Sequence, residues 1–464
     1  MRTPSSRIRR VVTLGTAAAL ITAFGACKES TIPNFNTPNI DGLLGNPDAA
    51  TVNTTVAGLL VGLRANVGTW ATSLGILGRE VYNLDPADPR NVLGFLVGPL
   101  EPGGFVADVG WSASYRDLRT AATILDAVDK VSAYTPSQKS ATRGFVKTIM
   151  AQEYVNQLRV RDTLGIVVDV PSDPTVLGAF VTKDSGFKRA AALFDEAKAD
   201  LLAGGTAFPF ALTSGFAGFN TPTTFLRVNR ALRARVDIYR ADWATALVTL
   251  GESFLSTSST GAAALATGAY HVYSTTSGDA LNPLFDAAPR ALFAVPSFLT
   301  EAQRRPDGSP DLRASSKALV TAVSVTTQGV SSNVKIIAYA SNVAPVPIIK
   351  NEELILMRAE AYNGLGNRAL AIQDLDFIRV NSGGLAPLGA GFAGDLVSEI
   401  LYNRRYSLFD EYGHRWVDLR RYGRLATLEK ALPTHRIFPV VPIPVDECNQ
   451  RSPLPKGCIN IQGF

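Results

Sequence analysis

Residues that could carry out catalysis are few in this sequence. It contains three histidines, His271, His414 and His435, which lie far apart. It lacks the serine-elbow, paired-histidine zinc, glycine-rich phosphate-loop and C-x-x-C motifs. Its 40 acidic residues could include the carboxylate pair of a glycoside hydrolase, but no spacing identifies such a pair. We therefore predict a protein that is not an enzyme and needs no cofactor or metal, with an extracytoplasmic hydrolase and a helical-repeat scaffold as alternatives.

One segment, residues 70–90, carries side chains suited to binding a sugar. Sugar rings stack on exposed aromatic faces, while amides, carboxylates and guanidinium groups bind their hydroxyls. The predicted ligand-binding residues are Trp70, Tyr82, Asn83, Asp85 and Arg90. For Trp70 and Tyr82, packing in the core is an equally good interpretation.

A second group of polar residues is concentrated in the segment 400–425. Its members are Arg404, Glu411, Gly413, Arg415, Asp418 and Arg420. Apolar residues at helical spacing predict a helix over residues 400–412 that ends at Gly413, because glycine takes positive φ at little cost. A second amphipathic turn is predicted over residues 416–425. The arginines could grip a ligand, but we favour a buried, paired network that holds the helix to the core.

Helix pairs are the main element predicted to position these groups. Apolar residues recur at helical spacing over residues 111–131 and 137–158, over 227–250 with a break at Ala241, and over 352–378 with a break at Gly366. Alanines at matching positions allow the two helices of a pair to pack closely. Such pairs resemble tetratricopeptide-like units. Residues 203–224 and 256–332 are rich in glycine, serine, threonine and proline and are predicted to be loops, while residues 334–339 are predicted to form a strand.

The N-terminus has the layout of an export signal. Four arginines precede an apolar run over residues 11–26, which is shorter than a membrane span and stops at Cys27. We predict a lipoprotein signal peptide over residues 1–26, lipidation of Cys27 by acyl chains such as palmitate, and a polar tether over residues 27–46. Conventional secretion without lipidation is the alternative.

Cys448 and Cys458 are the other cysteines of the chain. An exported protein meets an oxidising compartment, which favours a disulfide bond between them. Two free thiols or a metal site are the alternatives, although no histidine lies nearby to complete tetrahedral zinc.

Charge excludes one class of partner. The chain has 45 basic and 40 acidic residues, and removing the signal peptide leaves 41 basic residues against the same 40. This nearly neutral chain has no polybasic stretch, so we predict no binding to nucleic acid.

The segment from Arg404 to Arg421 resembles the signature of the SusD/RagB family, lipoproteins that collect nutrients on the outer membrane of bacteria. Matching features are the adjacent arginines, Glu411 and the run from Gly413 to Arg420, whereas Asn403 and Tyr412 depart from the pattern. Residues 437–444, IFPVVPIP, are similar to a C-terminal element of the same family.

This resemblance implies a mostly α, SusD-like fold over residues 47–464, with tetratricopeptide-like helix pairs, long loops and a few short strands. It also implies a protein anchored by lipid to the outer membrane, on the cell surface. The expected activity is to bind an oligomeric nutrient and to pass it to a SusC-like TonB-dependent transporter. A glycan is the expected nutrient, and a peptide is the alternative.

Overall fold

The computed structural model describes Leu43, residues 45–286 and residues 291–464. The predicted signal peptide of residues 1–26, Cys27 and most of the tether of residues 27–46 lie outside the described residues. Within the described ranges, no helix is both long enough and apolar enough to cross a bilayer.

Eleven helices of eight or more residues lie in the described ranges. They are α1 (Ala49–Ala65), α2 (Val67–Leu77), α3 (Trp111–Val128), α4 (Pro136–Arg161), α5 (Lys183–Leu202), α6 (Pro222–Tyr239), α7 (Trp243–Gly251), α8 (Asn351–Gly364), α9 (Arg368–Asn381), α10 (Leu396–Ser407) and α11 (His414–Arg421). Shorter helical segments are Arg90–Val92, Leu93–Val97, Phe105–Asp108, Asp162–Leu164, Ser214–Phe216, Ala262–Leu265, Ser297–Thr300, Leu312–Lys317, Leu425–Thr427 and Val445–Asn449.

Local sequence explains where the central helices begin. Thr135 and Thr221 precede α4 and α6, and each side-chain oxygen accepts a hydrogen bond of 3.2 Å from the amide three residues later. A proline follows each threonine, where its fixed φ suits the first helical turn. The helices therefore start at positions that satisfy their otherwise unpaired N–H groups.

The predicted helix pairs are present. Helices α3 and α4, α6 and α7, and α8 and α9 pack against each other as consecutive neighbours. Ala241 and Gly366 take positive φ, +55° and +75°, in the turns of the second and third pairs. The mostly α fold class is confirmed.

Eight strands complete the described fold. They are β1 (Val81–Asn83), β2 (Ile166–Val167), β3 (Phe180–Val181), β4 (Gly268–His271), β5 (Leu292–Ala294), β6 (Ala318–Thr327), β7 (Val330–Ile336) and β8 (Val346–Lys350). One antiparallel sheet has the order β1-β5-β7-β6, while β2 pairs with β3 and β4 pairs with β8.

The prediction that residues 256–332 are loops is wrong in part, since β4, β5 and β6 lie there. Strand β6 is buried at its two ends and mostly exposed between them, so it lacks the alternation of apolar and polar residues that marks a half-buried strand. The strand predicted over residues 334–339 begins earlier, at Val330.

The helix predicted over residues 400–412 is also shorter than expected. Helix α10 ends at Ser407, and Gly413 caps the start of α11 rather than the end of α10. Gly413 has φ +62°, and a Cβ added there would lie 2.1 Å from the Cβ of Leu74 in α2. Glycine is therefore required both by the backbone conformation and by the close approach of α2.

Cys448 and Cys458 form a disulfide bond, with their Cα atoms 5.8 Å apart. This agrees with the disulfide interpretation rather than with free thiols or a metal site. The bond closes a loop whose Gly457 packs against Ile443, since an added Cβ would lie 2.5 Å from the Ile443 side chain. The C-terminal segment is thereby fixed to the body of the protein.

Replacing Cys448 and Cys458 together with serine should lower the free energy of unfolding by about 2–3 kcal/mol, because the unfolded chain regains the freedom of the closed loop. Denaturant unfolding of the variant and of the oxidised and reduced wild type measures this. The reduced wild type should behave like the variant. Equal midpoints for all three proteins would contradict the prediction.

Candidate functional site

Two aromatic residues predicted to stack on sugars lie inside the core. Trp70 in α2 is 1% exposed and Tyr82 in β1 is 2% exposed. The Trp70 ring fills the space beside Gly110, where an added Cβ would lie 2.2 Å from its Cζ2 atom. A buried ring offers no face to a ligand, so the stacking role predicted for Trp70 and Tyr82 is wrong and the packing interpretation holds.

The other predicted ligand residues lie at the end of β1 and in the loop that follows. The Asn83 side chain accepts a hydrogen bond from the Asp85 amide (3.2 Å), and the Asp85 side chain accepts one from the Ala87 amide (2.9 Å). Arg90 is 67% exposed and donates to both carboxylate oxygens of Asp88, at 2.7 and 2.9 Å. These hydrogen bonds lower the pKa of Asp88, so the loop presents an ion pair to solvent.

An exposed aromatic ring lies beside this ion pair. Phe105 is 42% exposed, and the guanidinium carbon of Arg90 lies 5.1 Å from the centre of its ring. Phe95 contacts the same ring edge to face, with centroids 5.5 Å apart, and thereby supports it from within. We call Asp85, Asp88, Arg90 and Phe105 the Phe105 surface.

The sequence analysis missed Phe105 because no local pattern distinguishes it. It follows a glycine- and proline-rich stretch, residues 98–104, and begins a short helical segment, Phe105–Asp108. Only the folded chain brings it against Arg90. The Phe105 surface therefore combines a partly exposed aromatic ring with charged hydrogen-bonding groups, the residue types found in sugar-binding sites.

The signature residues form a buried network of ion pairs. Arg404 donates to one oxygen of Asp418 at 2.6 Å, and Arg421 donates to the other at 2.8 Å and to Glu360 at 2.7 Å. Arg404 and Asp418 are 1% and 2% exposed. Burial raises the pKa of Asp418, but attraction to Arg404 and Arg421 outweighs it and lowers that pKa below its usual value. The network joins α8, α10 and α11.

Two further signature residues have partners within the protein. Glu411 accepts a hydrogen bond of 2.5 Å from Lys350. Arg420 donates to the carbonyl oxygens of Pro439 and Arg159, at 2.9 and 2.6 Å. These contacts favour the structural interpretation of the signature over a ligand clamp.

The arrangement of helix pairs, small sheets and C-terminal network defines a SusD-like fold. A SusD superfamily protein from Bacteroides vulgatus superimposes with a TM-score of 0.67 and 14% identity, covering 88% of this chain and 99% of that protein. The resemblance predicted from the C-terminal signature is therefore confirmed at the level of the fold.

Two other solved structures carry descriptions of a ligand. Surface glycan-binding protein A from Bacteroides thetaiotaomicron, in complex with laminarihexaose, matches with a TM-score of 0.63 and 13% identity over 90% of this chain and 100% of that one. A laminarin-binding SusD-like protein matches with a TM-score of 0.60 and 17% identity over 85% and 96%. No family model matches this sequence, and no curated protein matches it.

Replacing Asp418 with asparagine should lower the free energy of unfolding by about 3–5 kcal/mol, because Arg404 would then keep a buried charge without a carboxylate partner and Arg421 would keep only Glu360. Urea unfolding measures the loss.

Asp184→Asn is the matched control, because it breaks a surface ion pair with Lys188 whose side chains are 65% and 63% exposed. Its cost should be much smaller than that of the Asp418 variant, because exposed ion pairs contribute little to stability. Equal costs for the two variants would show that the Asp418 network does not stabilise the fold.

Proposed function

We propose that this chain is a surface lipoprotein that binds an oligosaccharide and passes it to a SusC-like TonB-dependent transporter. The observation that carries the proposal is the SusD-like fold, shared over 85% and 90% of the chain with proteins described as binding laminarin and laminarihexaose. Identities of 13–17% show the fold alone, so glycan binding by this chain depends on its own surface residues.

The Phe105 surface supports glycan binding. A pyranose ring placed against the exposed part of Phe105 would bury apolar C–H groups, while Arg90 and its partner Asp88 lie beside it and could bind hydroxyls. One exposed ring gives weak binding, so an oligomeric ligand would need further contacts along the surface. Capture and release require no bond breaking, and the proposed role is therefore that of a carrier rather than an enzyme.

The N-terminal segment supports the proposed location. Acyl chains on Cys27 would hold the protein on the outer membrane, facing the cell exterior. The tether of residues 27–46, fully extended, would reach at most roughly 70 Å. Such a reach lets the folded body cover a transporter while its lipid anchor stays in the bilayer.

The Phe105→Ala variant should bind laminarin roughly tenfold more weakly than wild type, because it removes the stacking face. Arg90→Ala should also weaken binding. Affinity gel electrophoresis with laminarin and a panel of other neutral polysaccharides measures both effects.

Arg368→Ala provides a matched control, because Arg368 lies over another aromatic ring, Phe392, at 5.6 Å. It should leave glycan binding unchanged. Wild-type affinity in Phe105→Ala would exclude the Phe105 surface, and shortened polysaccharide after incubation would favour a hydrolase. Failure to bind any polysaccharide would contradict a glycan ligand and leave peptides as the remaining class.

A further inference from the structure

A cleft lies between α10 and α11, away from the residues of the Phe105 surface. Its volume is about 230 Å³. Leu401, Tyr402 and Leu419 supply apolar wall, and Arg405, Arg415 and Asp418 supply charge. Since sites for drug-sized ligands have volumes of roughly 300–1,000 Å³, the cleft suits a smaller molecule.

Most charged groups around the cleft already have partners. Asp418 is paired with Arg404 and Arg421 in the buried network. Arg405 is paired with Glu301. At the mouth of the cleft, Arg424 pairs with Asp395 and donates to Ser398, each at 2.7 Å. Asp418, Arg405 and Arg424 therefore have their charges satisfied within the protein.

Arg415 differs from these residues. Its guanidinium makes no hydrogen bond or ion pair with any described residue, and its Nη1 atom is buried without a partner. A buried N–H group without an acceptor costs free energy, and a guanidinium carries five such donors in a planar fork. Arg415 lines the cleft, and the hydrogen-bonding capacity of its guanidinium is not used by any described residue.

The nearest acidic groups do not neutralise Arg415. Burial and the neighbouring Arg405 lower the pKa of Arg415 to about 10, against the attraction of Glu80 and Glu301, so it stays charged at neutral pH. Glu80 is itself buried, and burial raises its pKa to about 7. Glu301 is engaged by Arg405. Arg415 therefore keeps its positive charge without a directly paired carboxylate among the described residues.

We propose that the α10–α11 cleft binds a small organic carboxylate, no larger than a sugar acid. The carboxylate would accept two hydrogen bonds from the fork of Arg415, a geometry that suits a planar anion. The body of the ligand would lie against Leu401, Tyr402 and Leu419, which a compact inorganic anion could not cover. This inference does not depend on glycan binding at the Phe105 surface.

Isothermal titration calorimetry with D-glucuronate, D-glucose and sulfate tests the proposal on the folded protein. Glucuronate should bind, and glucose should bind at least about tenfold more weakly, because it lacks the charge-assisted hydrogen bonds. Sulfate should also bind more weakly than glucuronate. Equal binding of sulfate would indicate a general anion site and overturn the carboxylate assignment, as would no binding of glucuronate.

Variants locate the site. Arg415→Gln should weaken glucuronate binding about tenfold or more, and Arg415→Lys should weaken it less, because it keeps the charge but loses the fork. Arg227→Gln, at an exposed arginine of α6, is the matched control and should leave binding unchanged.

Leu401→Trp tests the cleft without altering Arg415, and so remains informative if Arg415→Gln fails to fold. By filling the cleft it should abolish glucuronate binding. Unchanged affinity in this variant would place the ligand elsewhere and overturn the proposal. Laminarin binding should be normal in all of these variants, which separates a failure here from a failure of the proposed function.

Discussion

A buried charge costs free energy unless it is paired, and pairing of this kind fixes the C-terminal helices to the rest of the fold. Asp418 lies between two arginines, Arg404 and Arg421, and Arg421 continues to Glu360 in α8. A second connection runs through Arg420, which donates to a backbone carbonyl of α4 at Arg159, 261 residues away in sequence. A buried ion that loses its partner costs free energy. These contacts therefore favour a single packing arrangement of the four helices α4, α8, α10 and α11. The cleft between α10 and α11 is built on this framework.

The helical scaffold could be predicted from sequence because its signals are local. Apolar spacing, small alanines and the turns at Ala241 and Gly366 lie within the helix pairs themselves. Thr221 and the proline after it mark the start of α6 in the same way. The C-terminal signature predicted the SusD-like fold. Its charged residues pair with one another and with Glu360 in the buried network.

The binding surfaces could not be predicted, because exposure is decided by contacts far apart in sequence. Trp70 and Phe105 are both aromatic residues near loops, yet the first lies against Gly110 in the core and the second lies beneath Arg90 at the surface. The unpaired state of Arg415 likewise depends on which carboxylates reach it after folding. Sequence spacing also placed Gly413 correctly as a conformational break but assigned it to the wrong helix end.

The proposed function requires the protein to act with a transporter at the outer membrane. The most direct measurement is affinity isolation of the protein from native membranes, followed by mass spectrometry with quantification of each copurified protein. We expect a TonB-dependent β-barrel transporter to copurify in near-equal amount. The transporter should be lost when Cys27 is replaced by alanine, because the variant would lack the proposed anchor. Isolation of the protein alone, under conditions that preserve membrane complexes, would contradict the proposed function.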